Sequence, residues 1–346
     1  MFQMKQFSMG LPPINPPLIN SSNPWATTTS DLQQLFDCPH TGAVTTRTSL
    51  LHGFEHDDTI HQRTFFDPSN HALQPGHLRG DKVPSTFGAS LNTLGYSPIV
   101  FSAYLSMIQK AVTDSTLPDE IKRSKPFIIS VTGSAQAVRE CYRLISTAQG
   151  SLENPLCMEI NLSCPNIPDK PPPAYSGDSL AEYLKALGEE ERDVKDGHRR
   201  VRVGIKTPPY TYLDQFKILI DALLASCGNG KQCPIDFITT VNTLGSSLVL
   251  ADDEGKPAIN SANGEGIGGM AGAPLHPLAL GNVKTIRSML DQHEELRAVD
   301  VIGIGGVSDN AGFRRMQAVG AKVVGVGTAF GREGMQVFSH ILEDAS

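Results

Sequence analysis

Long apolar runs, closely spaced cysteines and surplus positive charge are all missing from this chain of 346 residues. No stretch approaches the roughly 18 apolar residues of a membrane span, and the N-terminus, MFQMKQFSMGLPPINPP, lacks the continuous apolar core of a signal peptide. A soluble, intracellular protein with no membrane partner is therefore expected. The formal net charge of −7 argues against a nucleic-acid partner, since affinity for a phosphate backbone comes mainly from Lys and Arg. A local basic pocket for a small anion stays open. Cys38, Cys141, Cys157, Cys164, Cys227 and Cys233 follow no short paired spacing, which indicates neither a zinc or iron–sulfur cradle nor a disulfide framework. They read as reduced thiols, most of them small buried hydrophobes. Five histidines between residues 51 and 85 (His52, His56, His61, His71, His77) also lack the spacing of a metal site, and that segment reads as a surface excursion.

What is present suits a sizeable core: 40% hydrophobic residues, with 19% charged being too little charge for disorder. Residues 1–41 are rich in Pro, Asn, Ser and Thr, with one helical pattern over 29–36 that Thr29 or Ser30 can cap. Strand patterns follow at 42–47 and 86–92. From residue 97 onward, β-branched runs at 127–132, 157–163, 201–206, 236–242, 301–305 and 322–327 alternate with helical stretches near 98–112, 134–149, 178–195, 212–226, 277–293, 308–318 and 332–344. Eight strands alternating with helices call for a parallel sheet with right-handed crossovers, and eight is the number that closes a barrel. The expected fold is α/β, a (β/α)8 TIM barrel. It is read as a single domain over 1–346, with an irregular N-terminal extension (about 1–41) and an insertion near 51–85. A doubly wound open sheet is the structural alternative.

Polar residues fall at the C-terminal ends of these runs: Arg47, Asn92, Asn161, Lys206 and Asn242, then pairs of glycines. In a barrel those ends converge on the face that carries active sites. The stretch MEINLSCPNIPDKPPP begins as a half-buried strand and then becomes too proline-rich for helix or strand. It delivers Asn161 and Cys164 to a loop, where the carboxamides of Asn161 and Asn166 flank a hydroxyl and a thiol, the makings of a polar ligand site. A solvated turn shaped by Asn and Pro is the plain alternative. Gly305 and Gly306 end one strand, and Gly327 and Thr328 end the last, where backbone N–H groups and a helix N-terminus can approach a phosphate. A phosphorylated cofactor or substrate is implied. The glycines of 264–272 fit sharp bends or close approach to a ligand, and equally a plain flexible loop. Lys206, closing a buried strand, is expected to face an anion or an electron-rich ring, because burying an unpartnered ammonium is costly.

These segments also carry a family resemblance. GAVTTRTS, the Asn92-Thr93-Leu94-Gly95 turn, MEINLSCPNIPDKP, VGIKTPPY, TVNTLG, GIGGMAG, IGIGG and GVGTA occur in that order between about Gly42 and Gly334. Together they resemble the dihydroorotate dehydrogenases, specifically the soluble class that uses cysteine as base. The resemblance implies a barrel that binds flavin mononucleotide (FMN), no metal, and oxidation of (S)-dihydroorotate to orotate in pyrimidine biosynthesis. It implies Cys164 as base and Lys206 as the cation beside the flavin ring. Substrate contacts would come from Asn92, Leu94, Gly95, Tyr96, Asn161, Asn166, Asn242 and Thr243. Ser22, Asn23, Arg47, Thr48, Asn161, Lys206, Gly272, Gly305, Gly306, Gly327 and Thr328 would hold FMN. Cysteine rather than serine at 164 speaks against the quinone-linked class. The PxKP continuation resembles the fumarate-linked class, whose members are cytosolic homodimers. Fumarate as acceptor, a cytoplasmic location and a homodimer are therefore expected.

The chain also departs from the family pattern. Arg47 stands where the family has lysine, Gly95-Tyr96-Ser97-Pro98 replaces a Leu-Pro-Asn pattern, and Ser21-Ser22-Asn23 replaces a small Ala-Ala-Gly turn. The 51–85 segment is longer and richer in histidine. These departures fall on the substrate and flavin side. They keep open an alternative: a flavin-dependent oxidoreductase of the same barrel family acting on another cyclic amide or enone.

Overall fold

The strands of the central sheet are short and almost continuously apolar, so each is buried on both faces and is held only by parallel neighbours and an outer layer of helices. The computed structural model describes residues 10–75, 83–167, 172–190, 200–227 and 233–343. In chain order the elements are β1 (Leu18–Asn20), α1 (Thr29–Asp37), β2 (Val44–Thr45), β3 (Arg63–Phe66), β4 (Ala89–Asn92), α2 (Phe101–Asp114), α3 (Asp119–Ser124), β5 (Phe127–Val131), α4 (Ala135–Gln149), β6 (Leu156–Asn161), α5 (Gly177–Gly188) and β7 (Arg202–Thr207). They continue as α6 (Leu213–Ser226), β8 (Phe237–Thr240), β9 (Leu244–Ser247), β10 (Gly268–Gly272), α7 (His276–Leu290), β11 (Asp300–Ile304), α8 (Asn310–Ala318), β12 (Val323–Val326), α9 (Thr328–Glu333) and α10 (Gln336–Leu342).

Eight of the strands form a parallel sheet in the order β1-β12-β11-β8-β7-β6-β5-β2. A parallel bridge between Ile19 and Ala43 joins its two ends, so the expected (β/α)8 barrel is the fold. At this seam the Asn20 carboxamide stands in for a peptide unit: its Nδ2 donates to Thr45 O at 2.6 Å, and its Oδ1 accepts from Thr45 N at 2.9 Å. Asn20 is completely buried. Inside the ring Leu11, Ile19, Ile128, Phe237, Ile302 and Val323 pack together, while the larger cluster fills the space between strands and helices. The helices other than α3 bury one face each; α4, capped by Ser134 Oγ accepting from Ala137 N, turns Val138, Cys141, Tyr142 and Ile145 inward. Helix α1 is capped by Thr28 in a capping box with Asp31, one residue earlier than the sequence suggests.

One strand assignment needs correction. The run at 86–92 does not enter the barrel: its β4 belongs to a second, antiparallel sheet of order β3-β4-β10-β9. The barrel's eighth member is β1, from a stretch expected to be irregular. Three residues between Pro17 and Ser21 are too few to show periodicity, and their pairing with Val324–Val326 is far away in sequence. The helical pattern at 332–344 is also divided: α9 and α10 separate around Gly334, which takes a left-handed φ of 68°. Residues 191–195 of the expected 178–195 helix, and His77, lie outside the described residues.

Because Asn20 supplies both bonds at the seam, Asn20→Ala leaves the Thr45 N–H and C=O buried without partners. We expect it to destabilise the protein by about 2–4 kcal/mol, read from the urea midpoint at unchanged m-value.

Candidate active site

The C-terminal ends of the barrel strands open into one cleft of about 1080 Å³, its open mouth included. All the residues nominated from the sequence line it. Ser22 and Asn23 follow β1, Arg47 and Thr48 follow β2, and Asn161 ends β6, with Cys164 and Asn166 on the loop beyond. Lys206 lies in β7, Asn242 and Thr243 follow β8, and Gly305, Gly306, Gly327 and Thr328 follow β11 and β12. Asn92 with Leu94, Gly95 and Tyr96, and Gly272, come from the antiparallel sheet and its turns. Residues 168–171 of the proline-rich loop lie outside the described residues.

The amides are fixed by one another. Asn161 Nδ2 donates to Thr48 Oγ1 at 3.0 Å, and its Oδ1 accepts from Ser163 Oγ at 2.8 Å, Ser163 N at 3.2 Å and Asn242 Nδ2 at 3.3 Å, a pattern that sets its orientation. Asn242 Nδ2 also donates to Ser163 Oγ at 2.9 Å. Across the cleft, Asn166 Nδ2 donates to Asn92 Oδ1 and to Leu94 O, at 3.0 and 2.9 Å, while Asn92 Nδ2 donates to Gly269 O at 3.1 Å. Asn166 Oδ1 is buried with no hydrogen-bond partner among the described residues, which is costly unless a ligand N–H supplies one.

Beneath the amides runs a chain of hydroxyls. Ser130 Oγ donates to Glu159 Oε1 at 2.9 Å, so it accepts from Thr48 Oγ1 at 2.9 Å, and Thr48 in turn accepts from Ser22 Oγ at 2.9 Å. The chain ends on a carboxylate that is 2% exposed. Glu159 and Cys164 favour the charged form of Lys206, yet burial outweighs both and pulls the ammonium below its ordinary pKa. Burial pushes the Cys164 thiol up, opposed by the Asn166 N–H, the Tyr96 hydroxyl and Lys206. The resting sulfur is thus a thiol with donors and a cation already arranged around it.

At the glycine-ended strands, Gly305 and Gly306 take φ of 139° and 68°, and a Cβ on Gly306 would sit 2.6 Å from Gly272 O. Buried His276 holds this turn. Arg315 Nε donates to its Nε2 at 3.2 Å, which leaves Nδ1 protonated to donate to Gly305 O at 2.7 Å. The cleft wall also holds residues that sequence reading missed, among them Trp25, Arg63, Thr64, Phe65 and Ser90, whose Oγ lies 2.9 Å from Thr328 Oγ1. Trp25 stacks on Phe65 (5.9 Å, 14°), and Arg63 lies 5.2 Å over the Trp25 ring. Arg47, its Nη2 3.5 Å from Gly95 O, feels repulsion from Arg63. Nothing local marked Arg63 for this wall, because β3 reaches it only through pairing with β4.

Residues 71–345 match the model of the dihydroorotate dehydrogenase family. The chain belongs to that family. It is 26% identical over 328 residues to dihydroorotate dehydrogenase A (fumarate) of Lactococcus lactis subsp. lactis, covering 95% of this chain and 88% of the relative. Dihydroorotate dehydrogenase (fumarate) of Lachancea kluyveri is 26% identical over 265 residues, 76% of this chain and 74% of the relative. Among solved structures, the ligand-free enzyme of Eimeria tenella superposes with a TM-score of 0.66 at 17% identity, over 94% of this chain and 82% of that one, a likeness of fold. The family match begins at residue 71, so the closing strand β1, and the turn after it that bears Ser22 and Asn23, lie outside the matched span. No helix among the described residues is long and apolar enough to cross a membrane.

Gly306→Ala combines a left-handed backbone with a close approach to a carbonyl. We expect a loss of about 1–3 kcal/mol in stability, measured by thermal unfolding, with His276→Ala losing less.

Proposed function

We propose that this protein oxidises (S)-dihydroorotate to orotate with FMN as cofactor and fumarate as electron acceptor, a step of pyrimidine biosynthesis. The observation that carries the reading is the meeting of Cys164, Lys206 and four asparagine amides in one cleft at the barrel mouth. The names of the fumarate-linked relatives point the same way. The residues present fit FMN. Gly305, Gly306, Gly327 and Thr328 offer a backbone cradle for its phosphate, Ser22, Asn23, Thr48 and Gly272 line the same cleft, and Lys206 supplies a buried cation for its ring. When bound, FMN would take up the hydride that leaves the substrate.

The chain's own residues then have distinct tasks. Cys164, as thiolate, removes the acidic ring proton beside the substrate's amide carbonyl. Asn92, Asn161, Asn166 and Asn242 with Thr243 hold the pyrimidine edge and its carboxylate, and the unpartnered Asn166 Oδ1 suits a ring N–H. Lys206 stabilises negative charge that develops next to it. By the same kinship, the protein works as a cytoplasmic homodimer, which light scattering checks by returning the mass of two chains. Arg47 beside Arg63 favours a second reading, in which the same chemistry acts on another cyclic amide or enone. Arg47→Lys separates the two, because a diverged pocket gains little dihydroorotate activity from the change.

Anaerobic mixing with dihydroorotate should bleach the bound flavin. Cys164→Ala should slow this bleaching by about 10²–10⁴-fold, and full-rate bleaching by that variant, or none by the wild type, sinks the assignment. Burial raises the Cys164 pKa, so below that pKa the thiolate fraction, and with it the bleaching rate, should climb about tenfold per pH unit and level off above it.

A further inference from the structure

Glu159 is a buried acid that Cys164 and Lys206 leave without a task, and register sets its place. It pairs with Ser130 of β5 and Gly204 of β7, while Asn161 pairs with Lys206. Side chains two apart on a strand share a face, so Glu159 lies inside the barrel one layer beneath the Asn161 amide and the Lys206 ammonium. Lys206 is the charged group that faces it. One layer further down, Cys157 and Ile128 pair with each other and belong to the apolar cluster that fills the ring. The carboxylate thus has apolar side chains below it, a cation above it and a hydroxyl at its side.

That hydroxyl leads to the cleft. Glu159 Oε1, Ser130 Oγ, Thr48 Oγ1 and Ser22 Oγ stand in line, each 2.9 Å from the next, and half-buried Ser22 lines the cleft wall. While Glu159 is ionised it only accepts, so every O–H in the line points inward, toward the carboxylate. Fixed donors outside the line hold two of the oxygens in place: Asn161 Nδ2 on Thr48 Oγ1 at 3.0 Å, and Thr48 N on Ser22 Oγ at 2.9 Å. A hydroxyl oxygen has two lone pairs, so the same heavy atoms also satisfy the opposite polarity. With Glu159 protonated, its O–H donates to Ser130, Ser130 donates to Thr48 and Thr48 to Ser22, and the Ser22 O–H points out into the cleft. The two states differ by one proton and need no heavy atom to move.

We propose that Glu159 balances charge in this cleft: when hydride reaches the flavin beside Lys206, one proton enters at Ser22 and is relayed through Thr48 and Ser130 to the carboxylate, and it leaves by the same line when the electrons pass to the acceptor. Each hydroxyl oxygen gains one O–H bond as it gives one up. The net change is a carboxylate and a proton from water becoming a carboxylic acid, and no electron leaves the cofactor and its substrates. The driving force is desolvation. Lys206 can neutralise one negative charge in the dry core, and Glu159 already supplies one, so a second is cancelled by protonating the carboxylate. The proton that Cys164 removes is a different one and forms S–H. This inference rests on the reading of the cleft as a flavin site.

Redox titration of the purified flavin-bound protein with dithionite, against reference dyes around neutral pH, reads the protons taken up per electron pair. It needs no dihydroorotate. Hydride itself accounts for one proton, so uptake by Glu159 should make the midpoint potential of the wild type fall twice as steeply with pH as that of Glu159→Gln. Equal slopes in the two proteins overturn the proposal, and a merely structural carboxylate gives equal slopes. If Glu159→Gln does not fold, infrared difference spectra of the wild type decide: reduction should raise a carboxylic acid C=O band that shifts in D2O, and a spectrum without it overturns the proposal. Ser130→Ala cuts the line, so it should slow proton uptake after flash photoreduction, followed with a pH-indicator dye, by about 10²-fold. Uptake at the wild-type rate overturns the relay. A protein that binds no FMN overturns both readings, whereas bound FMN with the shallow slope in the wild type overturns this one alone. The steep slope without bleaching by dihydroorotate keeps Glu159 in its role and rejects the substrate.

Discussion

Three residues and one carboxamide close this barrel. A ring of parallel strands brings its C-terminal ends to a single mouth only if the first and last strands meet, and here they meet through Leu18–Asn20, with the Asn20 side chain bonding the backbone of Thr45. Closure fixes where the next residues go. Ser21 N donates to Val326 O at 2.9 Å, and Asn23 Nδ2 to Ser21 O at 2.7 Å, so Ser22, Asn23 and Trp25 are turned along the mouth rather than away from it. The hydroxyl chain from Ser22 to Glu159 then crosses the rim from β1 to β6.

Much of the site was legible because barrel strands deliver their last residue to one face. Asn161, Lys206 and the glycines after β11 and β12 could be placed from strand ends alone. The misplaced strand carried its own warning: β4 alternates buried and half-buried residues, as a strand with one wet face does, whereas β5, β6, β8 and β12 are buried throughout. The count of eight survived because one strand was wrongly included and one missed. Leu18–Asn20 was not legible, since three residues show no period and their partners lie about 300 positions away. The same holds for Arg63 and Phe65, which reach the cleft through the register of β3 on β4.

Electrostatically, the cleft opposes the rest of the molecule. The chain carries a net −7, yet Lys206, Arg47 and Arg63 line one pocket that no Asp or Glu among the described residues lines, and buried Glu159 accepts from Ser130. A concave site of one sign draws small anions while the outer surface repels polyanions. The asparagines add fixed dipoles without charge, so orientation comes from amides and attraction from cations.

Trp25 is the only tryptophan in the sequence, and it stacks in the cleft wall with Phe65 on one face and the Arg63 guanidinium near its ring. Intrinsic fluorescence excited at the red edge of protein absorption therefore originates at one spot, the rim of the cleft. Any chromophore seated there lies within energy-transfer range of that indole. The protein carries a built-in optical probe of what occupies its own site, with no second tryptophan in the sequence to dilute the signal.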